Sequence, residues 1–105
     1  MLTERRHLRS PNRGEALAHQ LAACRAGGQL DAIVVADRDG LVVAGAGDAH
    51  TCEALAVAAL SPTAAIAEFS VDGSPLRVHA AGGTPAARVR EMVRAAAGAA
   101  RILAR

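Results

Sequence analysis

Residues 31–44 constrain the fold of this chain most. Positions 33–35, with the sequence Ile-Val-Val, stand in an unbroken apolar run, the pattern of a central strand that is covered on both faces. Arg38-Asp39-Gly40 supplies a turn, and an apolar stretch returns directly after it over residues 41–44. The sequence therefore predicts a β-hairpin whose first strand is buried.

Three helices and a second hairpin are predicted around this hairpin. Asp48 is placed to cap the second helix, and Thr84, followed by a proline, is placed to cap the third. Glycines at positions 45 and 47 are expected to end the strand before the second helix. The predicted ranges are Glu15 to Ala26 for the first helix, Ala49 to Leu60 for the second, 66–81 for the second hairpin, and Pro85 nearly to the end for the third helix.

The length and composition predict one small domain. A chain of 105 residues has room for a single core, which we place over residues 14–105, with residues 1–13 as a flexible basic arm. Phe69 is the only aromatic residue, and much of the apolar content is alanine. Such a thin core often gains stability from a second copy of the chain.

The second helix carries too little charge for a surface helix. Cys52, Leu55 and Ala59 share one side of it. Ala54 and Val57 lie on the opposite side, between His50 and Glu53, and Glu53 is the only charged residue in the helix body. We therefore expect this helix to bury a second side against a partner.

The last helix is predicted to be amphipathic. Its core stripe is predicted to consist of Val89, Met92, Val93, Ala96, Ala100 and Leu103. Its opposite, solvent-facing side is predicted to consist of Arg90, Arg94, Arg101 and Arg105.

Composition argues against several classes of function. The arginines are dispersed and aromatic stacking platforms are missing, which disfavours nucleic-acid binding. Cys24 and Cys52 are too few for a disulfide framework or a zinc site, so we interpret both as reduced core thiols. No apolar run approaches the roughly 20 residues of a membrane span, and the N-terminus lacks a signal-peptide pattern. We expect a soluble, cytoplasmic protein.

Short motifs with possible chemistry have simpler structural explanations. Gly45-Ala46-Gly47 precedes a helix, where phosphate could bind, but His50 replaces the third glycine of that motif and no lysine is present. Asp37 and Asp39 resemble the start of a calcium loop, but the apolar residues that follow offer no further oxygen ligands. We predict a capped turn and a hairpin turn, respectively.

The order helix, hairpin, helix, hairpin, helix resembles the roadblock family of dynein-light-chain and bacterial GTPase-regulator domains. The resemblance is carried by residues 30–37 (LDAIVVAD), 39–43 (DGLVV) and the closing helix from Gly98 to Leu103, and it covers about residues 15–103. It implies a profilin-like α/β (α+β) fold with helices 1 and 3 on one face of an antiparallel sheet and helix 2 on the other. The family sheet usually has five strands, whereas residues 61–83 offer room for two, so we expect four to five.

The resemblance also implies a function. In this family two copies pair through helix 2 and an edge strand, and the pair can bind a small Ras-like GTPase. We therefore predict a non-catalytic homodimeric regulatory or scaffolding module without a cofactor, with an interface at His50, Glu53, Ala54 and Val57. The alternative is a profilin-like sensor of a small, haem-type ligand, with His79 or His50 as the nearest binding side chain.

Overall fold

The structure, a computed structural model, describes residues 11–104. Over these residues the chain forms three helices and four strands. The helices are α1 (Pro11–Gly28), α2 (Ala49–Ala58) and α3 (Pro85–Leu103). The strands are β1 (Ala32–Asp37), β2 (Val42–Ala46), β3 (Ala67–Val71) and β4 (Ser74–Ala81).

The four strands form one antiparallel sheet in the order β2-β1-β4-β3. The two predicted hairpins are both present, and they join through β1 and β4, with Ala32 opposite Ala81 and Asp37 opposite Leu76. The first five residues of β1 are buried, as the apolar run predicted. β2 and β3 are the edges of the sheet.

Helices cover both faces of the sheet, in the predicted arrangement. On one face, α1 and α3 pack over the larger core, where Leu21, Ile33 and Leu103 are buried. On the other face, α2 packs over a smaller core that includes Val34 and Ala56. Because successive residues of β1 point to opposite faces, Ile33 and Val34 enter different cores.

α1 begins earlier and ends later than predicted. It starts at Pro11, so three residues assigned to the flexible arm, 11–13, belong to the helix. Proline is well suited to the first helical turn, where its missing N–H is not needed. Arg13 Nη1 also donates to the carbonyl of Leu103, 3.3 Å away, which ties the start of α1 to the end of α3. The rest of the predicted arm, residues 1–10, lies outside the described residues.

The glycine expected to end β2 lies inside that strand. Gly45 pairs with Val34 and β2 continues to Ala46, so the predicted break comes one residue too early. The glycine is required by packing, because a Cβ at this position would lie 2.8 Å from Cys52 Sγ of α2. Gly47, with φ of +117°, follows the strand and allows the chain to turn into α2.

The predicted core stripe of α3 is partly wrong. Met92, Ala96 and Leu103 are buried, but Val89 and Val93 are 55% and 59% exposed. The reason lies in tertiary packing. Because α1 packs against one side of α3, the buried residues of α3 lie on the side nearest α1. The two valines lie on the opposite side of α3.

Contacts with α1 explain why the buried strip includes polar and small residues. Glu91 is 3% exposed and lies beside the last turn of α1, where a Cβ on Gly28 would approach its Cγ to 2.8 Å. Gly98 gives room to Gln20 of α1. A charged residue and a glycine carry no apolar signal in the sequence, so the stripe could not be placed from hydropathy alone.

The arginines of α3 are partly solvent-facing, as predicted, but two of them also hold Glu91. Arg90 Nε and Arg94 Nη1 lie 2.9 Å and 3.0 Å from its carboxylate oxygens. The hydrogen bond from Arg90, followed by the Arg94 contact, lowers the pKa of Glu91 against the opposing effect of burial. Arg90 Nη2 also donates to the carbonyl of Gly27, 3.3 Å away, so the cluster joins α1 to α3. Arg105 lies outside the described residues.

Candidate functional site

The start and orientation of α2 are fixed by one cap and one close contact. Asp48 accepts hydrogen bonds from the backbone N–H and the hydroxyl of Thr51, at 3.0 Å and 3.2 Å, which confirms the predicted N-cap. Cys52 and Ala56 face inward and are 5% and 0% exposed. The Cys52 thiol lies 3.8 Å from the carbonyl of Ala46. The opposite side of α2 must therefore face away from the sheet.

The four residues predicted as an interface lie on this outward side. All four are exposed, and the side chains of His50 and Glu53 are 96% and 71% accessible. His50 Nδ1 lies 3.8 Å from Glu53 Oε1, one turn along the helix. Val57 is 62% exposed, and Ala54 lies between it and His50. The structure thus brings the predicted residues together on one surface.

One leucine that the sequence did not single out extends this surface. Leu60, just past the end of α2, is 41% exposed. It lies against the β1–β2 turn, because a Cβ on Gly40 would lie 2.9 Å from Leu60 Cδ1. We call Ala54, Val57 and Leu60 together the α2 surface. Leu60 was predicted as the last residue of the helix and not as part of an interface.

Neither cysteine is suited to act as a nucleophile. Both are buried and free of disulfides, as predicted for core thiols. Burial is the main cause that raises the pKa of Cys24 and of Cys52, and the nearby Asp48 carboxylate raises the pKa of Cys52 further. A raised pKa keeps each thiol protonated and unreactive at neutral pH.

The other motifs adopt the turns that were predicted for them. Asp37 accepts hydrogen bonds from the backbone N–H groups of Asp39 and Leu41, at 2.8 Å and 3.0 Å, so its carboxylate closes the hairpin turn. Within residues 11–104, no cluster of three His, Cys, Asp or Glu side chains could hold a metal ion. None of the helices in that range is both long and apolar enough to cross a membrane.

His79 lines neither of two open grooves on the surface. It is half-buried on β4, and its Nδ1 lies 3.0 Å from the carbonyl of Ala65. One open groove of about 570 Å³ lies between α1 and the end of β2, and another of about 320 Å³ lies between the end of α1 and the start of α3. Their lining residues include neither His79 nor His50.

The fold defines a class of protein. A single antiparallel sheet with two helices on one face and one on the other is the α+β architecture expected for a roadblock-type domain. Among solved structures, Myxococcus xanthus MglB has the same fold, with a TM-score of 0.57 over 84% of this chain and 87% of that chain. The two sequences are 11% identical. MglB is a roadblock-domain GTPase regulator, so the resemblance predicted from the sequence is confirmed at the level of the fold. No protein-family model matches the sequence, and neither does any curated protein.

Proposed function

We propose that this chain is a non-catalytic, homodimeric regulatory or scaffolding module that binds a small Ras-like GTPase or a related signalling protein through α2. The observation that carries the proposal is the exposure of Val57, 62%, on a helix face where Glu53 is the only charged residue. Surface helices of monomers normally present charged residues on this side. An apolar outward face on a rigid helix is typical of a protein interface.

The fold supports the choice of partner. The solved structure that shares it is MglB, a GTPase regulator. Because a shared fold does not by itself transfer a function, the proposal also depends on the α2 surface itself. The α2 surface has apolar centres at Val57 and Leu60, and His50 and Glu53 lie beside it as a polar edge, which resembles the apolar core and polar rim of known interfaces.

The non-catalytic part of the proposal follows from the side chains near α2. The His50–Glu53 pair is highly exposed, so water would reach any reacting group placed between them. The nearest thiol, Cys52, is buried beneath the helix and its pKa is raised. The side chains of α2 are suited to apolar contact with a partner and do not form an activated nucleophile.

Light scattering across a concentration series tests the proposal. The wild-type chain should associate, and Val57→Arg should shift the equilibrium toward monomer, because it places a charge in the centre of the apolar face. Ala23→Arg is the matched control, since Ala23 is an exposed helical residue on the other face of the sheet. It should leave association unchanged.

Partner binding is measured separately. A panel of small Ras-like GTPases, loaded with GDP or a GTP analogue, is titrated against wild-type protein, Val57→Arg and Ala23→Arg. Loss of binding in Val57→Arg alone supports the proposal. A Val57→Arg variant that retains both self-association and GTPase binding contradicts it.

A further inference from the structure

The larger of the two open grooves borders the β2 edge of the sheet. It has a volume of about 570 Å³ and lies between one flank of α1 and the end of β2. The α1 wall includes Ala18, Ala22 and Ala26, and the β2 wall includes Gly45 and Ala46. Residues four apart share one flank of a helix, so the alanines form a row of small side chains. Both walls are therefore made of short side chains, which leaves the space between them open.

β2 lacks the charged residues and prolines that usually prevent an edge strand from pairing with another chain. Among the described strands it pairs only with β1, so alternate backbone N–H and C=O groups on its outer side point away from the sheet. Residues 41–46 are all uncharged, whereas the other edge strand, β3, presents the exposed Glu68. A bulge interrupts the β1–β2 ladder near Ala36, but residues 44–46 pair in regular succession. The regular part of this edge is the part that borders the groove.

The groove contains one fixed positive charge. Arg25 is the only charged residue among those that line it. Arg25 Nε donates to the carbonyl of Asp31, 3.0 Å away. A Cβ on Gly47 would lie 2.7 Å from that same carbonyl, so the guanidinium is held at the Ala46 end of β2. Within residues 11–104 its Nη1 and Nη2 form no hydrogen bond, and both can therefore donate to a carboxylate.

The neighbouring carboxylates do not neutralise this charge. A Cβ on Gly82 would lie 2.8 Å from Asp31 Oδ2, which places that carboxylate at the end of β4, on the opposite side of β1 from β2. Asp48 accepts two hydrogen bonds in the first turn of α2. Glu15, the only acidic residue of α1, lies about 15 Å along the helix from Arg25. The groove therefore favours an occupant with a negative charge.

We propose that this groove binds an extended segment of a partner protein, which pairs its backbone with β2 and places an acidic side chain against Arg25. Alternate side chains of the added strand then point toward α1, where the short alanines leave room for branched apolar residues. A segment that matches the five residues of β2 is about 17 Å long. This site is separate from the α2 surface and does not depend on it.

The groove fits an extended peptide better than it fits a small molecule or a second copy of β2. Small-molecule sites usually have several polar groups that converge on the ligand, whereas this groove offers one guanidinium and the outer backbone of a strand. A second β2 would bring no acidic residue to Arg25, because residues 41–46 contain none. Charge complementarity therefore favours a different chain.

Selection from a displayed library of random seven-residue peptides tests the proposal. The library is selected separately on wild-type protein, Ala22→Arg and Ala23→Arg. Ala22→Arg fills the groove, whereas Ala23→Arg adds the same charge at an exposed α1 position that does not line it. Peptides enriched on the wild type should alternate apolar residues and carry an Asp or Glu. Their affinity should fall at least about tenfold for Ala22→Arg and should stay unchanged for Ala23→Arg.

Reversing the charge in the groove tests the role of Arg25. Selection on Arg25→Glu should replace the acidic residue of the enriched peptides by Lys or Arg, because two carboxylates would otherwise meet. A loss of folding cannot produce such a change of preference. An enriched set that has no acidic residue on the wild type, or that is unchanged on Arg25→Glu, would overturn the proposal.

Backbone methylation of an enriched peptide tests the strand pairing. Methylating the alternate amides that face β2 should lower the affinity at least about tenfold, whereas methylating the other alternate set should not. Equal effects of the two sets would contradict pairing with β2. A library that yields no enrichment on the wild type over Ala22→Arg would overturn the site altogether. Peptides that lose affinity for Val57→Arg but not for Ala22→Arg bind the α2 surface, an outcome that contradicts the groove site and leaves the proposed function intact.

Discussion

The two faces of the sheet differ in what holds their helices. The α1/α3 face has large buried side chains such as Leu21 and Leu103, together with the buried carboxylate of Glu91. The α2 face has mainly small ones, and Ala32, Val34 and Ala36 meet Cys52 and Ala56 there. Large cores contribute most of the stability of a small domain. We infer that the α1/α3 face contributes more to stability than the lightly packed α2 layer, which is the layer proposed to bind a partner.

The largest effect is expected from a core truncation on the α1/α3 face. Leu21→Ala should lower the free energy of unfolding by about 3 kcal/mol, because a fully buried leucine leaves a cavity. Chemical denaturation measures the change. Cys52→Ala on the α2 face should cost no more than about 1 kcal/mol, because it removes one sulfur atom. Equal losses of unfolding free energy in the two variants would show that the two faces contribute equally to stability.

A smaller effect is expected from the buried carboxylate. Glu91→Gln should cost about 1–2 kcal/mol at neutral pH, since both arginine partners remain but lose their counter-charge, and both are half-exposed to solvent. Because folding lowers the pKa of Glu91, its contribution is fully present above the ordinary value of 4.5 and is lost as pH falls through the lowered value. Unfolding curves of the wild type and the variant should therefore converge in acid.

The control for this prediction lies on the other face. Glu53→Gln removes an exposed carboxylate from α2 and should change stability by less than about 0.5 kcal/mol at any pH. A difference between wild type and Glu91→Gln that persists in acid would mean that lost packing, rather than lost charge, causes the effect.

Local signals in the sequence predicted the elements of both faces. The Asp39-Gly40 turn predicted the first hairpin, because Gly40 adopts a positive φ. Asp48 and Thr84 fixed the starts of α2 and α3, because each side chain accepts a backbone N–H three residues on. Each of these features depends on a few residues that are close together in the sequence, so it could be predicted from the sequence alone.

Features that depend on neighbouring elements were missed. Val89 and Val93 have core-like spacing, but the position of α1 and the end of the sheet at β3 leave them exposed. Gly45 was interpreted as a strand breaker, although it lies within β2 to accommodate Cys52. The four α2 residues predicted as an interface lie on one side of the helix, but the contact between Leu60 and the β1–β2 turn joins distant parts of the chain and was not predicted.

The two helix caps offer a matched comparison between the faces. Asp48→Ala and Thr84→Ala each remove one capping hydrogen bond and should each cost about 1 kcal/mol. Amide hydrogen exchange should distinguish them. Loss of the Asp48 cap should speed local opening of α2, which is short and lightly packed, whereas α3 should open only with global unfolding. Equal local opening of both helices would contradict the difference between the faces.

The smallest effect on stability is expected at the proposed interface itself. Val57→Arg should change the free energy of unfolding of the monomer by less than about 0.5 kcal/mol, because the side chain is 62% exposed and the substitution creates no cavity. Denaturation is measured at concentrations below the dimer dissociation constant, so that lost association does not appear as lost stability. A loss above 1 kcal/mol would place Val57 in the fold rather than at a binding surface. A neutral result combined with lost self-association would show that α2 presents this valine for a partner and not for the core.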